Sequence, residues 1–394
     1  MIEALATASQ TPFVLRNVKI YPSPDEPPIE RGSIFVRDGR IASVGPGASD
    51  PAGYQEILLD GCTVTAGFWN SHVHFTEPKW KSSGRKPAGT LNAQLRDMFT
   101  SRGFTTVVDT GSYPPDTLAL RRRIDSAELT GPSIYTSGPG VYPPNGIPYY
   151  VRASIPFWLR PLVPQPSTPD AAIRIIERNL GRGAELVKLF TGSYVARGRV
   201  LTMPEPIARA ASNVAHAHGR LAFSHPSNLE GTRVAIGAGV DVLAHPPDLT
   251  DGVDRSVVQK MVDQGMAMIP TLKMFADTVS SDRSYLDPIY EIVRQFRTMG
   301  GELLFGTDVG YLQDYTTDGE FRGLVISGID PRGILRMLTT APARRFRLAN
   351  EVGAVTVGRR ADLTVLDGDP MDDLRAFTHV RATIRGGKFL YVRS

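Results

Sequence analysis

Apolar and polar positions alternate with a period of two at both ends of the chain. "TPFVLRNVKIYP" and "GSIFVRDGRIASVGP" near the start, and "ADLTVLDGDP" and "VRATIRGGKFLYV" near the finish, read as short strands with tight turns such as "DGR". An isolated hairpin is marginal, and at least three strands sharing an apolar face are needed for a core. Residues 1–66 and 352–394 are therefore expected to pair into one small discontinuous β-sandwich.

The pattern changes at Gly67. Eight short apolar runs follow, "TAGFWNSHVHF", "TTVVDT", "SIYTSG", "ELVKLF", "RLAFSH", "DVLAHP", "MAMIPTL" and "LLFGTD", each reading as a strand buried on both faces. Between them lie amphipathic helical stretches such as "TPDAAIRIIERNLGRG" and "DRSVVQKMVDQG", several stopped by glycine. Residues 67–351 thus predict an α/β fold, a (β/α)8 TIM barrel of the usual ~250 residues or more. An open doubly wound sheet would call for a glycine-rich fingerprint after its first strand, and none follows here.

Composition narrows the chemistry. Lys and Arg exceed Asp and Glu by only four charges, spread along the chain, which gives no reason to expect a nucleic-acid partner. No run approaches the ~18–20 apolar residues of a membrane span, and the first residues lack a basic start leading into an apolar stretch. No membrane partner and a cytoplasmic location are the expectation. The single cysteine, Cys62, excludes an intrachain disulfide and a cysteine-based zinc cluster. A metal site must then use His, Asp, Glu or a modified Lys.

Barrel active sites gather at the carboxyl ends of the strands, where distant residues converge. His72 and His74 close the first run, Lys188 lies in the fourth, His225 ends the fifth, His245 the sixth and Asp308 the eighth. Two histidines one residue apart prove little alone, since alternate strand residues simply face the same way. The same geometry lets both imidazoles reach one ion, and four of the chain's seven histidines sit at strand ends. His216 and His218, near a helix end, read as structural, as does His379 in the terminal strands. Lys188 sits in a buried run, where an unpaired ammonium is costly. It calls for a carboxylate partner or for carbamylation by CO2, which would turn it into an anionic ligand.

Together these residues resemble the amidohydrolase superfamily, specifically its binuclear metal-dependent branch, over nearly the whole chain. The resemblance implies that His72, His74 and Asp308 hold one divalent ion and His225 and His245 a second. A carbamate on Lys188 and a hydroxide would bridge the two, with zinc the expected metal. It further implies hydrolysis of a carbon–nitrogen bond by that hydroxide, with Asp308 moving the proton from water to the leaving amine.

"HVHFTEP" is similar to the corresponding stretch of dihydroorotases, but Thr76 stands where their substrate-binding arginine belongs. "VKLF", "HPSN", "AHPP" and "GTDVG" look closer to imidazolonepropionase-like and prolidase-like amidohydrolases, which points to a small peptide-like or N-acyl amino acid substrate. The long segment after the third strand supplies Tyr142, Tyr149, Tyr150, Phe157 and Trp158 as apolar walls, and Arg152 or Arg160 for a carboxylate. The alternative for these aromatics is to pack the loop against the barrel or to form the contact of a homo-oligomer. Tyr194 is a candidate donor to the carbonyl oxygen, and Asp314, Asp318 and Glu320 are candidates for a substrate ammonium. A mononuclear deaminase, a cyclic amide or amidine hydrolase, and a lactonase or carbamate hydrolase are alternatives on the same frame. A catalytically silent interaction protein would be expected to have lost ligands, and all six are present.

Overall fold

The computed structural model describes residues 11–47 and 53–393. The first ten residues, read above for a leader, lie outside them. Among the described residues no helix is long and apolar enough to cross a membrane.

The two chain ends do come together. Strands Phe13–Ile20, Ile29–Arg37, Arg40–Gly45, Gln55–Leu58 and Cys62–Ala66 join Leu363–Asp367, Val380–Arg385 and Lys388–Val392 in one eight-stranded sheet. The link between the ends is antiparallel, Val64 facing Val365 and Ala66 facing Leu363. Their period-two apolar positions, including Leu15, Val18, Ile34, Val64, Leu363 and Ile384, form one buried cluster. The hydrogen bonding joins all eight strands in a single sheet and does not itself divide them into two stacked layers.

In the middle of the chain, each of the eight apolar runs overlaps a strand. Phe68–Val73, Phe104–Asp109 and Ser133–Thr136 form a parallel sheet of three. Leu186–Leu189, Leu221–Ser224, Val242–Leu243, Ala267–Met268 and Glu302–Leu303 form a parallel sheet of five. Both gaps between these sheets are crossed by backbone bonds. Val141 N–H donates to the Lys188 carbonyl at 2.9 Å, and Ser71 N–H donates to the Phe305 carbonyl at 2.7 Å.

Side-chain alternation sorts the strands into two layers of contacts. Leu186 belongs to one buried cluster with Trp69, Val108, Phe223, Val242 and Ala267, which takes one residue from each of six of the eight strands. Its neighbours Val187 and Leu189 instead join the large core shared with helices, among residues such as Ile176 and Ala208. The helices carry the expected end signals. Asp254 caps Arg255–Asp263 by accepting from the Ser256 and Val257 amides at 2.9 and 3.1 Å. Gly265, just past that helix, takes φ +69°, a conformation that suits a residue without a β-carbon.

Candidate metal centre

On Leu186–Leu189, Lys188 points to the same side as Leu186 but lies nearer the strand's carboxyl end. It is 2% exposed. Burial pushes its ammonium down to about 7, with the Asp308 carboxylate the opposing influence. His72, His74, His225, His245 and Asp308 line the same cavity as Lys188, a space of about 560 Å³. All six residues singled out by sequence are thus brought to one place.

The imidazoles are oriented from behind. His72 Nδ1 lies 2.9 Å from the Ala244 carbonyl and His74 Nδ1 lies 2.8 Å from the Gly111 carbonyl. A carbonyl only accepts, so both Nδ1 atoms carry a proton, and in the neutral rings both Nε2 atoms present lone pairs. These lone pairs face each other at 3.3 Å. His245 Nδ1 lies 2.6 Å from the Thr271 hydroxyl, which donates onward to the Pro270 carbonyl at 2.8 Å, so His245 Nε2 is also free to face inward. Asp308 Oδ1 approaches His74 Nε2 at 3.0 Å and His72 Nε2 at 3.5 Å, and Oδ2 approaches His245 Nε2 at 3.8 Å.

Burial holds His72, His225 and His245 neutral by pulling each well below the usual imidazole range, with the Lys188 charge adding to it. At His74 burial also pulls down, but the facing Asp308 carboxylate outweighs it and the imidazole is raised. His225 stacks on Phe190 with centroids 5.0 Å apart and meets His245 edge-on at 4.7 Å.

A divalent ion fits this donor set. Asp308 Oδ1 is buried without a hydrogen-bond donor, and two imidazole lone pairs aimed at each other repel unless a cation lies between them. The donor atoms of His72, His245 and Asp308 all lie within 4.8 Å of one another.

The supporting residues were not legible beforehand. Buried Asp109 accepts from Thr136 Oγ1 at 2.6 Å, from the Gly111 amide at 3.2 Å and from Ser112 Oγ, fixing the loop whose carbonyl orients His74. Asp308 itself has φ +58°, and the segment after it returns so closely to the first strand that a β-carbon on Gly310 would lie 1.9 Å from the His74 carbonyl oxygen.

Of the loop residues, Tyr142, Tyr149 and Tyr150 line the cavity. Arg152 and Trp158 do not: the Arg152 guanidinium donates to the Val195 carbonyl at 3.2 Å, and Trp158 is 65% exposed. Arg160 donates to the carbonyls of Ile155 and Arg152, both at 3.2 Å. Tyr194 lines the cavity, but its hydroxyl donates to Asp248 Oδ2 at 2.7 Å. Asp314 pairs with Lys273 at 3.0 Å, and Glu320 is wholly buried against the Lys273 amide at 2.9 Å. His216 and His218 lie away from the centre, paired with Asp241 at 2.9 Å and Glu177 at 3.0 Å. Asp248, Arg197, Tyr285 and Tyr311 also line the cavity, unannounced by any sequence motif.

The family relationship is visible across most of the chain. The sequence model of the Amidohydrolase family matches residues 63–390. An adenine deaminase of Rubrobacter xylanophilus is 40% identical over 362 residues, covering 86% of this chain and 51% of the deaminase. The chain thus spans about half the length of that relative. An imidazolonepropionase of Geobacillus sp. strain WCH70 is 24% identical over 388 residues, covering 86% of this chain and 84% of that protein. The crystal structure of a Xaa-Pro dipeptidase with bound methionine superposes with a TM-score of 0.83 at 22% identity, covering 97% of this chain and 100% of that one, a likeness of fold. By its sequence, and with a fold to match, this chain belongs to the amidohydrolase family.

Proposed function

We propose that the chain is a metal-dependent hydrolase that cleaves a carbon–nitrogen bond of a small peptide-like or N-acyl amino acid substrate. The observation that carries this reading is the meeting of His72, His74, Lys188, His225, His245 and Asp308 at one cavity. In this reading the eight central strands close into a (β/α)8 barrel over residues 67–351, and residues 1–66 and 352–394 form the flanking β domain. The seam bonds at Val141 and Ser71 support that closure.

His72, His74 and Asp308 would hold one ion and His225 and His245 another, with Lys188 between them. Bound divalent ions, zinc being favoured by an imidazole-rich set, would lower the pKa of water and polarise the scissile carbonyl. Lys188 suits carbamylation because its amine is held near 7, and CO2 adds to the neutral amine. Asp308 would take the proton from the attacking water as the new carbon–oxygen bond forms. It would then hand that proton to the departing nitrogen as the carbon–nitrogen bond breaks. Tyr142, Tyr149, Tyr150 and Phe190 would shield the reacting groups from bulk water, and Arg197, in place of Arg152, would meet a substrate carboxylate.

Removal of metal by a chelator should lower hydrolysis of a panel of dipeptides and N-acyl amino acids by at least ~100-fold, restored by zinc. Turnover that persists after complete metal removal refutes the reading. The similarity to a deaminase favours one second reading, displacement of ammonia from a heterocyclic amidine at a single ion. Metal stoichiometry and incorporation of labelled CO2 at Lys188 separate the two, one ion on an unmodified lysine favouring the deaminase.

A further inference from the structure

Three residues beyond His245, on the loop that leaves the same strand, lies Asp248. It is only 9% exposed yet lines the cavity. Tyr194 and Tyr285 both donate to its Oδ2, at 2.7 and 3.1 Å. Their two phenols come from separate parts of the chain, Tyr194 in strand Gly192–Ala196 and Tyr285 in helix Arg283–Thr298. Among the described residues, no Lys, Arg or His forms an ion pair with it.

A carboxylate taken out of water without a counter-charge is unfavourable, and phenol hydrogen bonds offset only part of the cost. Burial raises its carboxyl to about 6, against the lowering effect of the two tyrosines. Near neutral pH the group is therefore mostly ionised, and a cation brought by a ligand would complete it. The other acidic residues near this face are already committed: Asp314 is paired with Lys273, and Glu320 binds backbone amides. Exposed Arg197, in the turn between strands Gly192–Ala196 and Arg199–Thr202, supplies a guanidinium to the same cavity. The lining thus offers opposite charges to the two ends of an ampholyte.

We propose that Asp248, held by Tyr194 and Tyr285, is the subsite for a protonated amine of the substrate, so that the preferred substrates are amides carrying a free amino group. This deepens the hydrolase reading and rests on it for the bond that is cut, but not for the binding itself. Tyr194 then acts as a positioning residue for Asp248.

Calorimetric titration of the full-length metal-loaded protein with 6-aminohexanoate and with hexanoate tests it, since the two differ in the amine and neither contains an amide. The amine-bearing ligand is expected to bind at least ~10-fold more tightly, and Asp248→Asn to remove most of that preference. Tyr285→Phe, which keeps the charge, should reduce the preference less and shows whether loss in D248N reflects the carboxylate or the fold. Equal binding of the two ligands, binding of neither at high millimolar concentration, or a preference that survives D248N overturns the proposal. A normal preference in a protein that hydrolyses no amide would sink the hydrolase reading and leave this subsite standing.

Discussion

Thr271 shows how much of the centre depends on residues that touch no ion. It adopts φ +46°, unusual for a β-branched residue, and its hydroxyl is spent between His245 Nδ1 and the Pro270 carbonyl. Replacing it by valine keeps the shape and removes the acceptor that fixes the imidazole. In Thr271→Val the affinity for zinc should fall about 10- to 100-fold with little change in thermal midpoint, measured by competition with a coloured chelator. An affinity equal to that of the wild type would show that the hydroxyl does not orient the ring. At this scale the sequence was legible where chemistry repeats at strand ends. His72, His74, Lys188, His225, His245 and Asp308 needed only the strand assignment to be placed together. Thr271, Asp109 and Asp248 stayed hidden, because their roles come from partners contributed by other strands and helices, which no local pattern encodes. The aromatic loop was half legible: its tyrosines line the cavity, whereas the Arg152 guanidinium, between lining residues Val151 and Ser154, is spent on the Val195 carbonyl, and Trp158 is exposed.

Among the elements, the turn after the eighth strand is tightly constrained. Asp308 and Gly310 both have positive φ, +58° and +99°, and the His74 amide bonds the Val309 carbonyl at 2.8 Å within the same tight packing. A methyl group on Gly310 meets the His74 backbone and also faces an unfavourable φ. Gly310→Ala should cost about 2 kcal/mol or more of unfolding free energy in urea titration and displace two proposed ligands at once. Stability within ~0.5 kcal/mol of wild type would show that the turn relaxes freely. Element identity was easy to read and extent was not. The apolar runs located all eight strands, but the last three are only two residues long, since hydrogen bonding to both neighbours stops sooner than the run of buried side chains. At the chain ends, alternation revealed strands and their shared core, but pairing order is set by long-range contacts and so was not available.

For the molecule as a whole, stability is linked to pH through a group far from solvent. Glu320 is fully buried, with Oε2 accepting the Lys273 amide and Oε1 unpartnered among the described residues. Burial pushes its carboxyl from 4.5 up to about 8, against the backbone amides that favour the ionised form. The folded state then holds a proton that the unfolded chain has released between those two values, so this group's contribution falls as pH rises from 4.5 through about 8. Glu320→Gln never ionises. Its unfolding free energy relative to wild type should increase steadily from about pH 5 to about pH 8, read from urea titrations. A difference that stays flat with pH would mean that Glu320 is charged in the fold.

The contact between the first and last central strands has a further consequence for biogenesis. Asn70 donates to Thr307 across 237 residues of chain at 2.6 Å, joining the residue two before His72 to the residue next to Asp308. During synthesis, His72 and His74 leave the ribosome long before Asp308 exists. In the proposed reading, a donor set that includes both His74 and Asp308 therefore assembles only after the chain has been translated past residue 308.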